Sequence, residues 1–92
     1  MIKTFDCSDI QALFQGARVA RFANIAAVVE RKLQQIDGAE TLEALRSPPG
    51  NRLEALKGDR AGQYSIRIND QWRVCFRFEN GDAYDVEIVD YH

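Results

Sequence analysis

The chain carries a single histidine, His92, and it is the only side chain whose ordinary pKa, roughly 6.5, suits giving or taking a proton near neutrality. Position alone reads a histidine at the end of a chain as a frayed terminus, so a chemical role needs other residues to support it. Cys7 and Cys75 lie far apart and form no C-x-x-C pair, so neither a zinc centre nor a thioredoxin-like motif is indicated. Both read as half-buried thiols in a reducing compartment. The remaining chemical resource is positive charge. A net charge of −2 argues against a nucleic-acid ligand, but the distribution does not. Residues 46–78 hold Arg46, Arg52, Lys57, Arg60, Arg67, Arg73 and Arg77 and balance at +4, whereas residues 79–92 contain no Lys or Arg and balance at −5. Phosphate recognition depends on cations gathered within a screening length of about 8–10 Å, not on the total. The middle segment can therefore bind RNA if folding brings its arginines together; a solvated charge run is the simpler alternative.

Positioning those side chains falls to two kinds of element. The first half of the sequence reads as helical. Lys3-Thr4-Phe5 is a short strand candidate, and Ser8 with Gln11 fits a capping box ahead of Ile10, Leu13 and Phe14. Gly16 closes that short helix. Phe22, Ile25, Ala26, Val29, Leu33 and Ile36 then form a helical stripe, ended by Asp37-Gly38. Residues 41–45 predict one short turn before Ser47-Pro48-Pro49-Gly50, a surface connection because proline can join neither a helix interior nor a central ladder.

From Arg52 onward the period changes to two. Residues 52–56 make a short, irregular strand. Tyr64, Ile66 and Ile68 alternate with Ser65 and Arg67; Trp72, Val74, Phe76 and Phe78 alternate with Arg73, Cys75 and Arg77; Tyr84, Val86 and Ile88 alternate with Asp85 and Glu87. Such strands place one face on a core and present the other as polar. Arg67, Arg73 and Arg77 are expected together on that polar face, since a strand sends every second side chain to one side. Pairing Ile68 with Trp72 leaves Asn69-Asp70-Gln71 as a three-residue loop and sets Ile66 against Val74 and Arg67 against Arg73. Asn80-Gly81 suggests a two-residue type I′ turn. That turn would pair Phe76 with Asp85, an apolar residue with a charged one, so a longer loop or a bulge is expected at this hairpin. The order predicts an α+β, two-layer fold, with an N-terminal strand and two helices on a mainly antiparallel sheet, in one domain over residues 1–92. No apolar run approaches the ~18 residues of a membrane span, and the N-terminus has no secretion-signal core, so a cytoplasmic protein with no membrane partner is expected.

Three motifs in order resemble one family. Leu56-Lys57-Gly58-Asp59-Arg60-Ala61-Gly62, Ile68-Asn69-Asp70-Gln71-Trp72-Arg73 and the closing Asp90-Tyr91-His92 are similar to the signature of HigB-type toxins, within the RelE/ParE superfamily of toxin–antitoxin systems. The resemblance extends over nearly the whole chain. It implies a RelE-like fold and an endoribonuclease acting on A-site mRNA in the 70S ribosome, with no metal and no cofactor. It implies a helix-turn-helix antitoxin of the HigA type as partner, with operator DNA reached only through that antitoxin. By position it implies His92, Asp90, Tyr91, Arg73 and Lys57 as catalytic residues. Arg60, Arg67, Arg77 and Glu54 are the candidates for RNA contact. Many similar toxins have histidine where this chain has Glu54, and Tyr64 stands in place of a frequent tryptophan.

Cutting RNA without a metal needs a base for the 2′-OH, an acid for the leaving 5′-oxygen and cations to offset charge on phosphorus. Asp90 and the terminal carboxylate favour the imidazolium of His92, which points to the acid. Arg73 and Lys57 would neutralise phosphoryl oxygens, and Tyr91 could stack on a base. Glu54 and Asp90 are both candidates for the base. Two competing functions remain at the level of sequence: a relative that inhibits a protein such as gyrase, which would lack the terminal histidine motif, and a weakly active member kept for its antitoxin complex, which Glu54 would explain. Arg73 and Arg77 could instead form ordinary surface pairs with Glu87 or Asp85.

Overall fold

A computed structural model describes residues 1–90; Tyr91 and His92 lie outside the described residues. Two helices, α1 (Ser8–Phe14) and α2 (Ala26–Gly38), cover one face of a four-stranded antiparallel sheet in the order β1 (Glu54–Ala55), β2 (Tyr64–Arg67), β3 (Trp72–Glu79) and β4 (Asp82–Asp90). Short 3-10 turns at Ala20–Phe22, Leu42–Arg46, Pro49–Asn51 and Gly58–Arg60 connect them.

The helical stripe is realised from Ala26 onward, with Ile25 at the N-cap of α2. Val29, Leu33 and Ile36 are completely buried and meet Ile66, Val74, Phe76 and Val86 of the sheet in one core. Truncating Leu33, Ile36 or Ile66 to alanine would cost about 2–5 kcal/mol. Phe22 belongs to the same core but sits in the preceding 3-10 turn, where its ring meets Trp72 edge-on at 5.6 Å. Gly16, at φ +88, ends α1 with its N–H donating to the Leu13 carbonyl. The capping box at Ser8 is not formed. Cys7 occupies the cap position with no side-chain bond, because the extended N-terminal segment runs into the helix one residue earlier than the Ser8–Gln11 spacing supposes.

The β2–β3 hairpin has the expected register: Ile66 faces Val74, Arg67 faces Arg73, and Ile68 donates to the Trp72 carbonyl at 2.9 Å. The Asn69 side chain caps the loop by accepting from the N–H groups of Gln71 and Trp72. At the next hairpin, Asn80 (φ 51) and Gly81 (φ 83) make a two-residue turn that pairs Glu79 with Asp82. The phase conflict is removed by a bulge, since Cys75 faces Glu87 while Arg77 faces Tyr84, leaving Asp85 and Val86 opposite Phe76. Asp85 takes φ 56, a conformation aspartate adopts more readily than most residues. The bulge corrects one expectation: Tyr84 does not share a face with Val86 and Ile88, and Ala83 takes its place toward the core.

The N-terminal strand is reduced to two parallel bridges, Ile2 with Ala83 and Phe5 with Val86. Between them lies the bulge, where Asp85 donates its N–H to Thr4 Oγ1 instead of continuing the ladder. Among the described residues, no helix is long and apolar enough to cross a membrane.

Candidate active site

Antiparallel partners share a face, so the ladder places Glu54, Ser65, Arg67, Arg73, Cys75, Arg77, Tyr84 and Glu87 on the side of the sheet away from the helices. Arg73 stands near its centre and is not the exposed residue that alternation suggests. It is 8% exposed, and Ser65 and Cys75 beside it are fully buried. Its Nε donates to Ser65 Oγ at 2.7 Å, and its Nη2 donates to the carbonyls of Arg52 at 2.6 Å and Ser65 at 3.3 Å. These acceptors are neutral. The carboxylate of Glu54 lies at 4.0 Å from Nη2 and is half exposed, so it attends the guanidinium without neutralising it in a tight pair. Arg52, Glu54, Arg67, Asn69, Asp70 and Arg73 surround an open depression of about 210 Å³. Arg67 faces Arg73 across the ladder and pairs with the exposed Asp70.

Away from this depression the arginines are matched by acidic residues of the last strand. Arg60 donates to Glu87 at 2.6 Å and to Gln63 at 3.0 Å. Arg77 donates through Nε to Asp85 at 2.7 Å, reaches Glu79 at 3.5 Å and lies over the Tyr84 ring at 5.4 Å. The hydrogen bond and charge of Asp85 raise the pKa of Arg77 further above its ordinary value. Asp6, on the N-terminal segment near this group, has its carboxyl pushed up by desolvation and by the charges of Asp85 and Glu87, with Arg60 and Arg77 opposing. The surface-pair reading of the sequence therefore holds for Arg77, whose partner is Asp85, whereas Glu87 takes Arg60.

Lys57 precedes the turn Gly58–Arg60, is exposed, and has no ion pair with any described residue. Asp90 faces Trp72 at the end of β4 and accepts from Gln71 Nε2 at 3.2 Å. By register that is the opposite face from Arg73. Of the two carboxylates considered as a base, Glu54 thus shares the arginine's face. His92 and Tyr91, the remaining catalytic candidates, lie outside the described residues.

Sequence reasoning did not single out Ser65 or the Arg52 carbonyl. Ser65 was within reach, because alternation with Arg67 puts it on the arginine face. Nothing in the sequence marks a backbone carbonyl 21 positions from its donor as an orienting group. Two larger depressions, of about 720 and 690 Å³, lie on the helical layer around Leu13, Gly16, Ala27 and Glu30 and include none of the candidates. Among the described residues no cluster of His, Cys, Asp and Glu is arranged to hold a metal ion.

Residues 6–92 match the family described as "RelE-like toxin of type II toxin-antitoxin system HigB". Over the full length of both chains the sequence is 38% identical to "Endoribonuclease HigB" of Proteus vulgaris. It is 47% identical to "Toxin HigB-1" of Vibrio cholerae over 53 residues, covering 58% of this chain and 56% of that one. Solved structures share the fold at low identity. YafQ from E. coli superposes with a TM-score of 0.71 at 12% identity, covering 99% of this chain and 92% of that one. The "YoeB-YefM toxin-antitoxin" complex from Staphylococcus aureus does so at 0.62 and 19%, covering 100% and 98%.

Proposed function

Because the chain belongs to the HigB-like family of type II toxin–antitoxin toxins, we propose that it is an endoribonuclease that cuts mRNA in the ribosomal A site and so stops translation. The observation that carries this reading is the state of Arg73: a buried guanidinium, fixed on neutral oxygens, at the edge of an open depression. A guanidinium held in this way has its orientation set before a phosphate arrives.

In the proposed reaction no metal takes part. Glu54 accepts the proton of the ribose 2′-OH, and the 2′-oxygen attacks phosphorus. The phosphorus–5′-oxygen bond breaks and His92 supplies a proton to the leaving oxygen. The products are a 2′,3′-cyclic phosphate and a 5′-OH. Arg73 and Lys57 offset charge on the phosphoryl oxygens, and Tyr91 stacks on a base. Arg67 meets a flanking phosphate, while Asp90 orients the residues that follow it. Arg60 and Arg77 contact RNA only when a phosphate displaces Glu87 or Asp85. The partner that silences the toxin is a helix-turn-helix antitoxin of the HigA type, which also links it to operator DNA. The protein acts in the cytoplasm.

So lean a set of proton-transfer groups depends on orientation, which the ribosome supplies by holding the mRNA in line. With a defined mRNA on purified ribosomes, mapped ends should lie in the A-site codon, and the same mRNA without ribosomes should stay intact. Rapid cutting of naked mRNA at low nanomolar toxin would refute ribosome dependence. His92→Gln should slow cutting by about 10²–10⁴-fold, and a 5′-thio leaving group, which needs no protonation, should restore most of that loss. Equal slowing on both substrates would remove His92 as the acid.

A further inference from the structure

The acceptors that orient the Arg73 guanidinium come from a regular strand, through Ser65, and from a loop, through the Arg52 carbonyl. Ser65 is held by the β2–β3 ladder. The Arg52 carbonyl, by contrast, belongs to a residue in the left-handed region (φ 45, ψ 56), just beyond the 3-10 turn Pro49–Asn51. No ladder fixes that carbonyl. What fixes the turn is Asn51, which is fully buried. Its Nδ2 donates to Gln35 Oε1 at 2.9 Å, to the Leu45 carbonyl at 3.1 Å and to the Ser47 carbonyl at 3.4 Å, while its Oδ1 accepts from Lys32 Nζ.

We propose that Asn51 is a positioning residue for Arg73: clamped to α2 by Lys32 and Gln35, it fixes the adjacent Arg52 carbonyl on which the guanidinium is aimed. Several observations favour this over a role in stability alone. A fully buried amide that uses both ends needs all its partners, since leaving one unmade costs about 1–3 kcal/mol. Two of those partners, Lys32 and Gln35, are on the core helix α2, and the others, Leu45 and Ser47, lie on the segment leading into the turn. The ammonium of Lys32 is kept at the amide although burial, with Arg31 and Arg67 nearby, lowers its pKa. The next residue carries the 2.6 Å bond to Arg73 in a conformation that non-glycine residues seldom adopt. Loosening Asn51 frees that backbone to relax, and the guanidinium turns with it.

The inference rests on the proposed nuclease reading, and the test separates the two. Single-turnover cutting of ribosome-held mRNA is measured per folded molecule, together with ribosome affinity, for Asn51→Ser, Lys32→Met and Lys32→Arg. Leu33→Val serves as a control that loses stability in the same core. Displacing a reacting group by about 1 Å costs up to about 10²-fold. Asn51→Ser should therefore slow cutting roughly 10-fold and Lys32→Met about threefold, with ribosome affinity unchanged. Lys32→Arg should restore the rate, and Leu33→Val should cut normally once corrected for folded fraction. In an Arg73→Lys background the Asn51→Ser loss should fall below about twofold, as expected for residues acting through one another. A wild-type rate in Lys32→Met, or a loss that persists undiminished beside Arg73→Lys, overturns the inference. If the wild-type protein cuts nothing, the nuclease reading fails by itself. The N–H resonances of the Arg73 guanidinium then decide: a shift in Lys32→Met that is absent from Leu33→Val upholds the positioning role, and unchanged resonances overturn it.

Discussion

Arg73 and Arg77 stand on the same strand and the same face, four positions apart, yet their surroundings differ in kind. Arg73 is buried and bonded to a hydroxyl and two carbonyls, with its carboxylate neighbour Glu54 at 4.0 Å. Arg77 has a half-exposed side chain between Asp85 at 2.7 Å and Glu79 at 3.5 Å. Neutral acceptors orient a guanidinium and leave its charge for a ligand. Carboxylates orient it and cancel that charge. A phosphate arriving at Arg77 must first displace a carboxylate. The positive middle of the sequence is thus divided in space: the last strand runs the full length of β3, but opposite Arg73 it places Val89, whereas its acidic residues Asp85 and Glu87 meet Arg77 and Arg60.

Removing Arg73 should give the largest effect. Arg73→Ala should slow cutting by about 10²–10³-fold, the usual loss for one preorganised electrostatic contact. It should also lower stability by about 1–3 kcal/mol, since Ser65 and the Arg52 carbonyl lose a buried donor. Single-turnover kinetics and denaturant unfolding measure the two; retention of full activity would dissolve the comparison. Glu54→Gln keeps the shape and removes the proton acceptor, so cutting should fall by about 10²-fold with stability unchanged. Faster cutting would mean that Glu54 acts only as a charge opposing the phosphate. Arg77→Ala should change the cutting rate less than about threefold, because Asp85 and Glu79 already balance its charge. A loss matching that of Arg73→Ala would show both arginines in equivalent roles.

The smallest effect concerns the acidic side. The carboxyl of Asp6 is raised by desolvation and by its neighbours Asp85 and Glu87, so the folded protein holds the Asp6 proton more tightly than the unfolded chain. Stability from this group is therefore present below the unfolded pKa and lost as pH rises through the folded one. Asp6→Asn should stabilise the protein at neutral pH by less than about 0.5 kcal/mol, a surface-scale effect. That gain should disappear in acid. Urea midpoints across the acidic range measure it, and a gain independent of pH would point to a cause other than charge.

Much of the scaffold was legible because it depends on local periodicity. The α2 stripe needs only a 3.6-residue repeat matched to one core, and the hairpin around Asn69-Asp70-Gln71 needs only alternation and a three-residue gap. An irregularity at the last hairpin, a longer loop or a bulge, was legible too, as a conflict between the Asn80-Gly81 turn and the polarity of Asp85. Its position was not: placing it at Asp85 and Val86 turned Tyr84 to the outer face and Ala83 to the core. Ser8 misled for a related reason, since a capping motif is short and the incoming N-terminal segment decided where the helix began.

The sequence by itself determined the fold class, the segments that become helix and strand, the hairpin register and, through three motifs, the family. Those properties follow from repeats of two and 3.6 residues and from residue identities read in order. Tertiary structure alone decided which partner each charge meets. Whether an arginine meets a carbonyl or a carboxylate depends on which strand lies beside it and where a bulge shifts the pairing. Arg60 meets Glu87 across 27 positions, and Arg73 meets the Arg52 carbonyl across 21. Asp90, too, is next to Arg73's cross-strand partner Val89 yet faces Trp72 on the other side of the sheet. A pairing energy that falls off within a few ångströms cannot be read from separation along the chain.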